Sequence, residues 1–258
     1  MRRRAERLLL LAALLLVAAV AIRPLLGPAR WTILGLRELT RLPAAGLQDL
    51  PRAPARIAHG GGALDGLHTP NTLEALDRNH ARGVRWFEMD FLPDAGGAWW
   101  AVHDWPAADA LRARGSRVPR LAEVLDWFGR NPDSRLVTDT KGDNGALLAV
   151  LQQAPAEVRA RIHPQLYRFE EYGRARAGGF AAPIFTTYRS AYPWWLVRRF
   201  VERAPVLAVT VTRAEAWEAC AALCGRVPVL THTVNDPSDA ARLAHAGLAG
   251  VYTDELLP

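Results

Sequence analysis

Four side chains of this sequence have the types and spacing of a metal-assisted site that cleaves phosphodiesters. Glu88 and Asp90 lie two positions apart in a segment with strand character, so both carboxylates point to one face, about 7 Å apart along the backbone. Carboxylates at that spacing can reach one hard cation through their oxygens. His59 and His103 stand on either side of the pair in the sequence. Imidazole titrates near neutral pH, so these two residues can act as acid and base.

The charge of the chain argues against a nucleic-acid partner. The 258 residues carry a formal net charge of +6, but residues 1–30 alone hold six arginines and one glutamate. The remainder is close to neutral and offers no broad basic surface. Half of the residues are apolar, which is enough for one domain of roughly 200 residues.

Lys141 is the single lysine among 32 basic residues. A GC-biased genome favours arginine codons, and a lysine kept against that bias suggests a site that needs a compact ammonium group. Composition alone leaves both explanations open.

The N-terminus has the pattern of a segment that enters a membrane. Arginines at positions 2–4 precede an apolar run from Leu8 to Ile22. These fifteen residues form about 22 Å of helix, short of the roughly 30 Å hydrocarbon core, so an anchor needs help from its flanks. A cleaved signal peptide is the alternative, because Ala19-Val20-Ala21 fits a cleavage site. In both cases the rest of the chain is exported.

We expect three segments along the chain. Residues 1–30 form the signal-anchor or transmembrane segment, and residues 31–54 form a linker with a short helix. Residues 55–258 form the catalytic domain, in which short β-rich runs alternate with amphipathic helices. The candidate strands are Arg56–Ala58, Arg85–Asp90, Leu136–Asp139, Ile162–Tyr167, Pro183–Thr187, Val206–Thr210, Val227–Thr233 and Gly250–Thr253. The clearest helical patterns are Thr72–Arg82, Leu121–Phe128, Ala214–Leu223 and Pro237–Ala246. Eight strands alternating with helices predict an α/β fold, a closed TIM (β/α)8 barrel.

This fold places the polar residues at one rim, because active sites of such barrels lie at the carboxyl ends of the strands. His59 follows the first predicted strand, and Glu88 and Asp90 end the second. The other polar residues at strand ends are Asp139, Lys141, Gln165, Tyr167, Tyr188 and His232.

Six short motifs follow one another within residues 56–254. They are His59-Gly60-Gly61, Pro70-Asn71-Thr72, Phe87-Glu88-Met89-Asp90, Val102-His103-Asp104, Thr138-Asp139-Thr140-Lys141 and Gly250-Val251-Tyr252-Thr253-Asp254. The ordered set resembles the glycerophosphodiester phosphodiesterase family, and its glycine-rich first loop is similar to a bacterial branch of the wider superfamily.

The resemblance implies a metal-dependent hydrolase of glycerophosphodiesters or phospholipid-derived diesters, with one Ca²⁺ or Mg²⁺ as cofactor. The matches to metal ligands are Glu88, Asp90 and Asp139. His59 and His103 match the acid–base pair, and we favour His59 as base and His103 as acid. The expected phosphate or substrate contacts are Lys141, Asn71, Gln165, Tyr188 and His232, although Asn71 can equally cap the following helix.

The expected partners are a small diester or lipid head group and, through the N-terminal segment, a membrane. The expected location is the outer side of a bacterial inner membrane, or outside the cell if the signal is cleaved. The oligomeric state is not indicated.

Several positions depart from the family pattern. Gly60 replaces an arginine that contacts the phosphate, His232 stands where tryptophan is frequent, and Asp139 stands where glutamate is usual. Arg189 is a candidate for the missing guanidinium. These departures motivate an alternative, a membrane-tethered barrel that binds a ligand without turnover. Metal-dependent amidohydrolases are a weaker alternative, because they need His-x-His after the first strand.

Two further features each have a structural and a functional interpretation. Trp194-Trp195, among basic neighbours, can contact a membrane interface or pack inward as part of a barrel helix, and we favour packing. For Cys220 and Cys224, four apart in a helical pattern, we expect two buried thiols on one helix face, with a disulfide as the alternative in an oxidising compartment.

Overall fold

The computed structural model describes residues 29–42 and 50–258. The expectations for the apolar run and the cleavage site lie outside these residues. Among the described helices, none is long and apolar enough to cross a membrane.

The strands of the described chain form one sheet, in which eight parallel members close into a barrel. They are β1 (Arg56–Ala58), β2 (Trp86–Pro93), β3 (Trp99–Ala101), β4 (Arg135–Thr140), β5 (Ile162–Leu166), β6 (Ile184–Thr186), β7 (Ala208–Thr212), β8 (Val229–His232) and β9 (Gly250–Thr253). All but β3 are parallel, and the barrel closes because β1 pairs with both β2 and β9. The predicted TIM barrel is confirmed.

Helices connect the strands and cover the outside of the barrel. They are α1 (29–41), α2 (Leu73–Ala81), α3 (Trp105–Ala113), α4 (Leu121–Arg130), α5 (Asn144–Leu151), α6 (Ala156–Arg159), α7 (Phe169–Ala177), α8 (Trp194–Arg203), α9 (Ala216–Leu223) and α10 (Pro237–His245). The four predicted helical patterns correspond to α2, α4, α9 and α10. At the start of α10, the Asp236 side chain accepts a hydrogen bond from the Asp239 backbone N–H at 2.7 Å, and Pro237 occupies the first turn.

Strand β2 shows how the barrel separates its two sides. Phe87, Met89 and Phe91 are fully buried in the main hydrophobic cluster, which also holds core residues of the surrounding helices. Glu88 and Asp90 alternate with them and therefore point into the barrel. A second cluster, to which six strands contribute, includes Ile57, Val137, Ile184, Ala208, Leu230 and Tyr252. Layers of this kind fill the barrel interior and leave its carboxyl end for polar groups.

The short strand β3 was not predicted, because it belongs to a hairpin and lies outside the alternation of strands and helices. Its turn is held by Asp94, which accepts hydrogen bonds from the backbone N–H groups of Gly96 and Ala98, both at 2.9 Å. β3 runs antiparallel to β2, and just beyond it the Val102 N–H donates to the Asp90 carbonyl at 2.9 Å. The hairpin thereby brings the residue after Val102, His103, to the barrel mouth.

Helix α1 and helix α8 lie against each other on the outside of the barrel. Leu39 of α1 is buried in the main cluster, and Leu196 and Phe200 of α8 are buried in the same cluster. Trp194 packs partly against this core, as the packed-helix interpretation predicts, whereas Trp195 remains 48% exposed.

The expectation of two free thiols is wrong, because Cys220 and Cys224 form a disulfide. Helix α9 ends at Leu223, and Cys224 has extended backbone angles (φ −57°, ψ 139°). The change of direction leaves the two Cα atoms 4.7 Å apart, a separation that a disulfide can span. The predicted helical pattern already ended at Leu223, but the expectation treated both cysteines as members of one helix face.

Candidate active site

Three buried carboxylates meet at the carboxyl end of β2 and β4. Each of Glu88, Asp90 and Asp139 offers an oxygen that lies within 4.8 Å of those of the other two. Strand register explains the meeting, since Asp90 and Asp139 are direct partners across the parallel pair β2–β4. The three predicted metal ligands are thus brought together, with 2–6% of each residue exposed.

Each carboxylate on β2 is fixed by the loop that follows β1. The Gly60 N–H donates to Glu88 Oε2 at 2.9 Å. Asn71 makes two contacts with Asp90: its amide Nδ2 donates to Asp90 Oδ2 at 3.1 Å, and its Oδ1 accepts from the Asp90 backbone N–H at 2.9 Å. Asn71 therefore positions a carboxylate, and the cap of α2 is Thr72, whose hydroxyl accepts from the Ala75 N–H at 3.2 Å.

Asp139 is held by three side chains at the mouth. Lys141 Nζ lies 2.7 Å from Asp139 Oδ2, and the Tyr188 hydroxyl donates to the same oxygen at 2.7 Å. The Tyr167 hydroxyl donates to Oδ1. The ammonium of Lys141 also lies 3.5 Å from Asp90 Oδ1, so it bridges two of the three carboxylates.

The electrostatics of this cluster suit a cation. Burial and the neighbouring charge of Asp90 raise the pKa of Glu88 well above its ordinary value. Burial alone would also raise the pKa of Asp139, but the charge of Lys141 and its hydrogen bond lower it. The cluster offers three buried carboxylates as oxygen ligands, and the ammonium of Lys141 already lies close to two of them. Oxygen ligands of this kind are those that a hard divalent ion such as Ca²⁺ or Mg²⁺ binds.

His59 is oriented by Asp254, which closes the last of the six motifs but had no predicted role in the site. His59 Nδ1 donates to Asp254 Oδ1 at 3.0 Å, which leaves Nε2 as the free nitrogen. Asn235 in turn fixes Asp254: its Nδ2 donates to Oδ2 at 2.7 Å, and its Oδ1 accepts from the Asp254 N–H at 2.8 Å. The position of Asp254 directly after the last barrel strand was the available signal.

The same carboxylates control the charge of His59. Burial alone would lower its pKa, but the hydrogen bond to Asp254 and the charge of Glu88 outweigh burial and raise the pKa to about 9. For Asp254, the hydrogen bonds from His59 and Asn235 overcome the effect of burial and lower the pKa. A charged pair is therefore the resting form at neutral pH in the absence of a cation.

His103 is arranged in a similar way on the other loop. Its Nδ1 lies 2.9 Å from Asp104 Oδ2. Asp104 also caps α3, because its Oδ1 accepts from the Ala107 N–H at 2.8 Å. The His103 side chain is 45% exposed, whereas that of His59 is 24% exposed, so the two imidazoles differ in their access to solvent.

The position of the missing arginine is closed to any side chain. Gly60 has a left-handed backbone (φ 55°), and a Cβ there would lie 2.4 Å from the Thr69 Cα. Thr69 itself has φ 48°, and the Asn71 N–H donates to the Gly60 carbonyl at 2.8 Å. The two segments of the loop are therefore in backbone contact where an arginine would begin.

A cavity of about 320 Å³ opens at this rim. Its walls are formed by His59, Thr69, Glu88, His103, Asp139, Lys141, Gln165, Tyr188, Thr210, His232, Thr233 and Tyr252. A larger, shallow groove of about 810 Å³ lies beside α3, lined by residues such as Trp100 and Arg120, without the carboxylate cluster. The smaller cavity is lined by Glu88, Asp139 and both histidines of the predicted acid–base pair, so we assign the candidate site to it.

The uncharged wall of the cavity contains His232 and Gln165. His232 Nε2 is buried without a hydrogen-bond partner, and the ring makes an edge contact with Tyr188. Burial and then the charge of His59 lower the pKa of His232 to about 4, so its imidazole is neutral. Gln165 Oε1 accepts from the Thr186 hydroxyl at 2.5 Å.

Three of the predicted site residues are not part of the cavity wall. Asp90 is buried within the carboxylate cluster, and Asn71 lies behind it, as described above. Arg189 stacks its guanidinium over the Tyr167 ring at 4.5 Å and donates to the Thr140 carbonyl at 2.6 Å. It belongs to a neighbouring pocket and does not take the place of the missing arginine.

No protein-family model and no curated protein sequence matches this chain. Solved structures do match. A glycerophosphodiester phosphodiesterase from Parabacteroides distasonis has 15% identity and a TM-score of 0.63, over 78% of this chain and 92% of its own. One from Thermotoga maritima has 18% identity and a TM-score of 0.61, over 80% and 96%. A phosphodiesterase from Oleispira antarctica, solved with its product sn-glycerol-3-phosphate, has 20% identity and a TM-score of 0.59, over 80% and 93%.

The chain has the fold of these phosphodiesterases. At these identities the likeness concerns the barrel and its connections.

Proposed function

We propose that this protein is a metal-dependent phosphodiester hydrolase of the glycerophosphodiester phosphodiesterase family. One observation carries the proposal: three buried carboxylates converge within 4.8 Å at a barrel mouth whose cavity also contains His59, His103 and Lys141. Two carboxylate-oriented imidazoles and an ammonium are the groups that diester cleavage needs.

Glu88, Asp90 and Asp139 would hold the divalent cation. A bound Ca²⁺ or Mg²⁺ supplies positive charge to the non-bridging oxygens of the phosphate. Lys141 supplies a second positive charge, from a position 2.7 Å from Asp139. A cation held there would offset the charges of Glu88 and Asp90, which help to keep His59 protonated, and so would lower the pKa of His59.

His59 is the proposed base. With Nδ1 donating to Asp254, Nε2 accepts the proton of the attacking hydroxyl, and Asp254 stabilises the imidazolium that results. The attacker is water or a neighbouring hydroxyl of the substrate. His103, held by Asp104, donates a proton to the departing alkoxide. Its exposed position suits the end of the substrate that leaves the site.

We further propose that the protein is exported and anchored by residues 8–22. The apolar run after the N-terminal arginines supports this, and so does the Cys220–Cys224 disulfide, since such bonds persist in oxidising compartments. Glycerophosphodiesters or head groups derived from phospholipids are the proposed substrates.

The test is hydrolysis of bis(p-nitrophenyl) phosphate and of glycerophosphodiesters with Ca²⁺, Mg²⁺ or EDTA. The variants are His59→Ala and His103→Ala, and His80→Ala serves as a control because it pairs with Asp133 on the surface. We expect metal-dependent turnover that both site variants reduce by roughly 10²- to 10⁴-fold and the control retains. Metal binding without turnover on any diester would instead support the alternative, a ligand-binding barrel that has lost catalysis.

A further inference from the structure

Helix α1 runs parallel to α8, with its N-terminus at the mouth of the barrel. The Trp31 ring meets the Tyr192 ring at 4.9 Å between centroids, just before α8 begins. At the other end of α8, Arg203 Nη1 donates to the Leu39 carbonyl at 3.0 Å. Because α8 follows β6, it starts at the carboxyl rim and runs away from it. Residue 29 therefore lies on the same side as the active site.

The helices are in close contact along this length. A Cβ on Gly35 would lie 2.4 Å from a methyl carbon of Leu196, so α1 approaches α8 through its glycine. The loop between β6 and α8 joins this contact to the active site. Tyr188 in that loop donates to Asp139 at 2.7 Å, and Tyr192, four residues later, stacks on Phe169 at 3.9 Å between centroids. The direction of α1 is therefore fixed relative to the cavity.

The chain that precedes α1 leaves little freedom of orientation. The apolar run ends at Ile22, so six residues separate it from residue 29. Six residues span at most about 20 Å when fully extended. If the mouth pointed away from the bilayer, residue 29 would lie at the end of α1 that is farther from the bilayer. The length of α1 alone would then separate residue 29 from the bilayer by about 20 Å, before any loop or side chain is added. A mouth that faces the bilayer needs no such extension.

The surface at this end has the composition of a membrane contact. Trp195 in the first turn of α8 is 48% exposed and Ile33 near the start of α1 is 66% exposed. Arg30 in the first turn of α1 is exposed and adds a positive charge at the same end. Aromatic side chains favour the interface, and arginines are attracted to anionic head groups.

We propose that the mouth of the barrel faces the membrane that anchors the chain and takes its phosphodiester from lipids of that surface. The proposal rests on the anchored phosphodiesterase proposed above and specifies where its substrate resides. Helix α1, which packs against α8, sets this orientation.

The orientation can be measured on the full chain in vesicles of phosphatidylcholine and phosphatidylglycerol. Cysteines carrying a fluorophore are placed at the mouth by Trp195→Cys and Ala214→Cys, and at the opposite end by Gln153→Cys, all at exposed positions. The native cysteines are paired and do not take the label. With brominated lipids we expect quenching at both mouth positions and none at residue 153. Equal quenching, reversed quenching, or failure of the chain to associate with the vesicles would overturn the proposal.

A second variant tests the substrate half. About ten glycine and serine residues inserted after residue 28 release the mouth from the surface. We expect a several-fold loss of turnover on vesicle lipids and unchanged turnover of soluble bis(p-nitrophenyl) phosphate. Unchanged turnover of both substrates, or no turnover of vesicle lipid by the parent chain, would contradict a lipid-borne substrate. If the soluble diester is not cleaved either, the proposed hydrolase function fails, while the quenching pattern still reports the orientation.

Discussion

Asp254 accepts a hydrogen bond from His59 Nδ1 at 3.0 Å and thereby assigns the free nitrogen of the imidazole to the cavity. The carboxylate belongs to the residue after β9 and the imidazole to the residue after β1, and these strands are neighbours where the barrel closes. The first and last strands thus build the proposed base together.

We expect Asp254→Asn to lower kcat by roughly 10- to 100-fold, because the amide no longer stabilises the imidazolium. The carboxylate raises the pKa of His59, so its removal lowers that pKa. A base is active when deprotonated. The acidic limb of the kcat/KM profile should therefore move to lower pH.

His68→Ala is the matched control. His68 also lies near Asp254, at 3.7 Å, but its side chain is half exposed. Its removal should leave the profile unchanged. An Asp254→Asn enzyme with an unshifted acidic limb would show that His59 is not the base.

Glu88→Gln should separate stability from metal binding. We expect cation affinity to fall at least about 100-fold, because a ligand charge is lost. The metal-free protein should become more stable above the ordinary carboxyl pKa, since the raised pKa of Glu88 reflects the cost of burying its charge beside Asp90.

The sign of the pH dependence follows from the same shift. In the metal-free protein the folded state retains its proton on Glu88 to higher pH than the unfolded state, so stability falls as pH rises through that interval. Calorimetry with and without Ca²⁺ or Mg²⁺ measures both effects, with the exposed Asp109→Asn as control. Undiminished cation affinity in Glu88→Gln would place the metal elsewhere.

His232→Phe should weaken substrate binding more than it slows the chemical step. Phenylalanine keeps a ring beside Tyr188 but removes the buried, unpartnered Nε2. Loss of one hydrogen bond to substrate costs about 1–3 kcal/mol, or roughly 10- to 100-fold in KM. Steady-state kinetics on glycerophosphodiesters measure this, and an unchanged KM would remove His232 from the substrate contacts.

Gly60→Ala should cost more than its backbone conformation alone explains. A Cβ at this position meets the Thr69 Cα at 2.4 Å. Gly66 offers a comparison, because it also has positive φ (76°) but no atom within 4 Å of the place where its Cβ would lie. We expect Gly66→Ala to lose about 1–2 kcal/mol of unfolding free energy, and Gly60→Ala at least twice as much. Denaturant titration measures both, and equal losses would show that the loop yields without cost.

Most strands and helices of the barrel could be predicted from the sequence, because they have strong and distinct periodicities. Rim placement of Glu88, Asp90 and Asp139 followed from the rule that such sites use strand ends. The hairpin strand β3 was missed because it lies outside the alternation of strands and helices on which the strand prediction rested. Asp254 was not assigned a role, since its partner is 195 positions away in the chain and no local spacing links them.

The cysteine pair shows a different limit of sequence patterns. The predicted helix ended at Leu223, as the structure has it, but the separation of four was still taken to place both cysteines on one helix face. Pairing depended on Cys224 leaving the helix, which the extended backbone at that residue provides.

The backbone contact between Gly60 and Thr69 also bears on how this site could have diverged. On the present path of the chain at position 69, a side chain at position 60 has no room, so an arginine there requires the Thr69 segment to move. The residue at position 60 and the backbone at position 69 are therefore coupled, and restoring an arginine to this loop calls for a second change near Thr69.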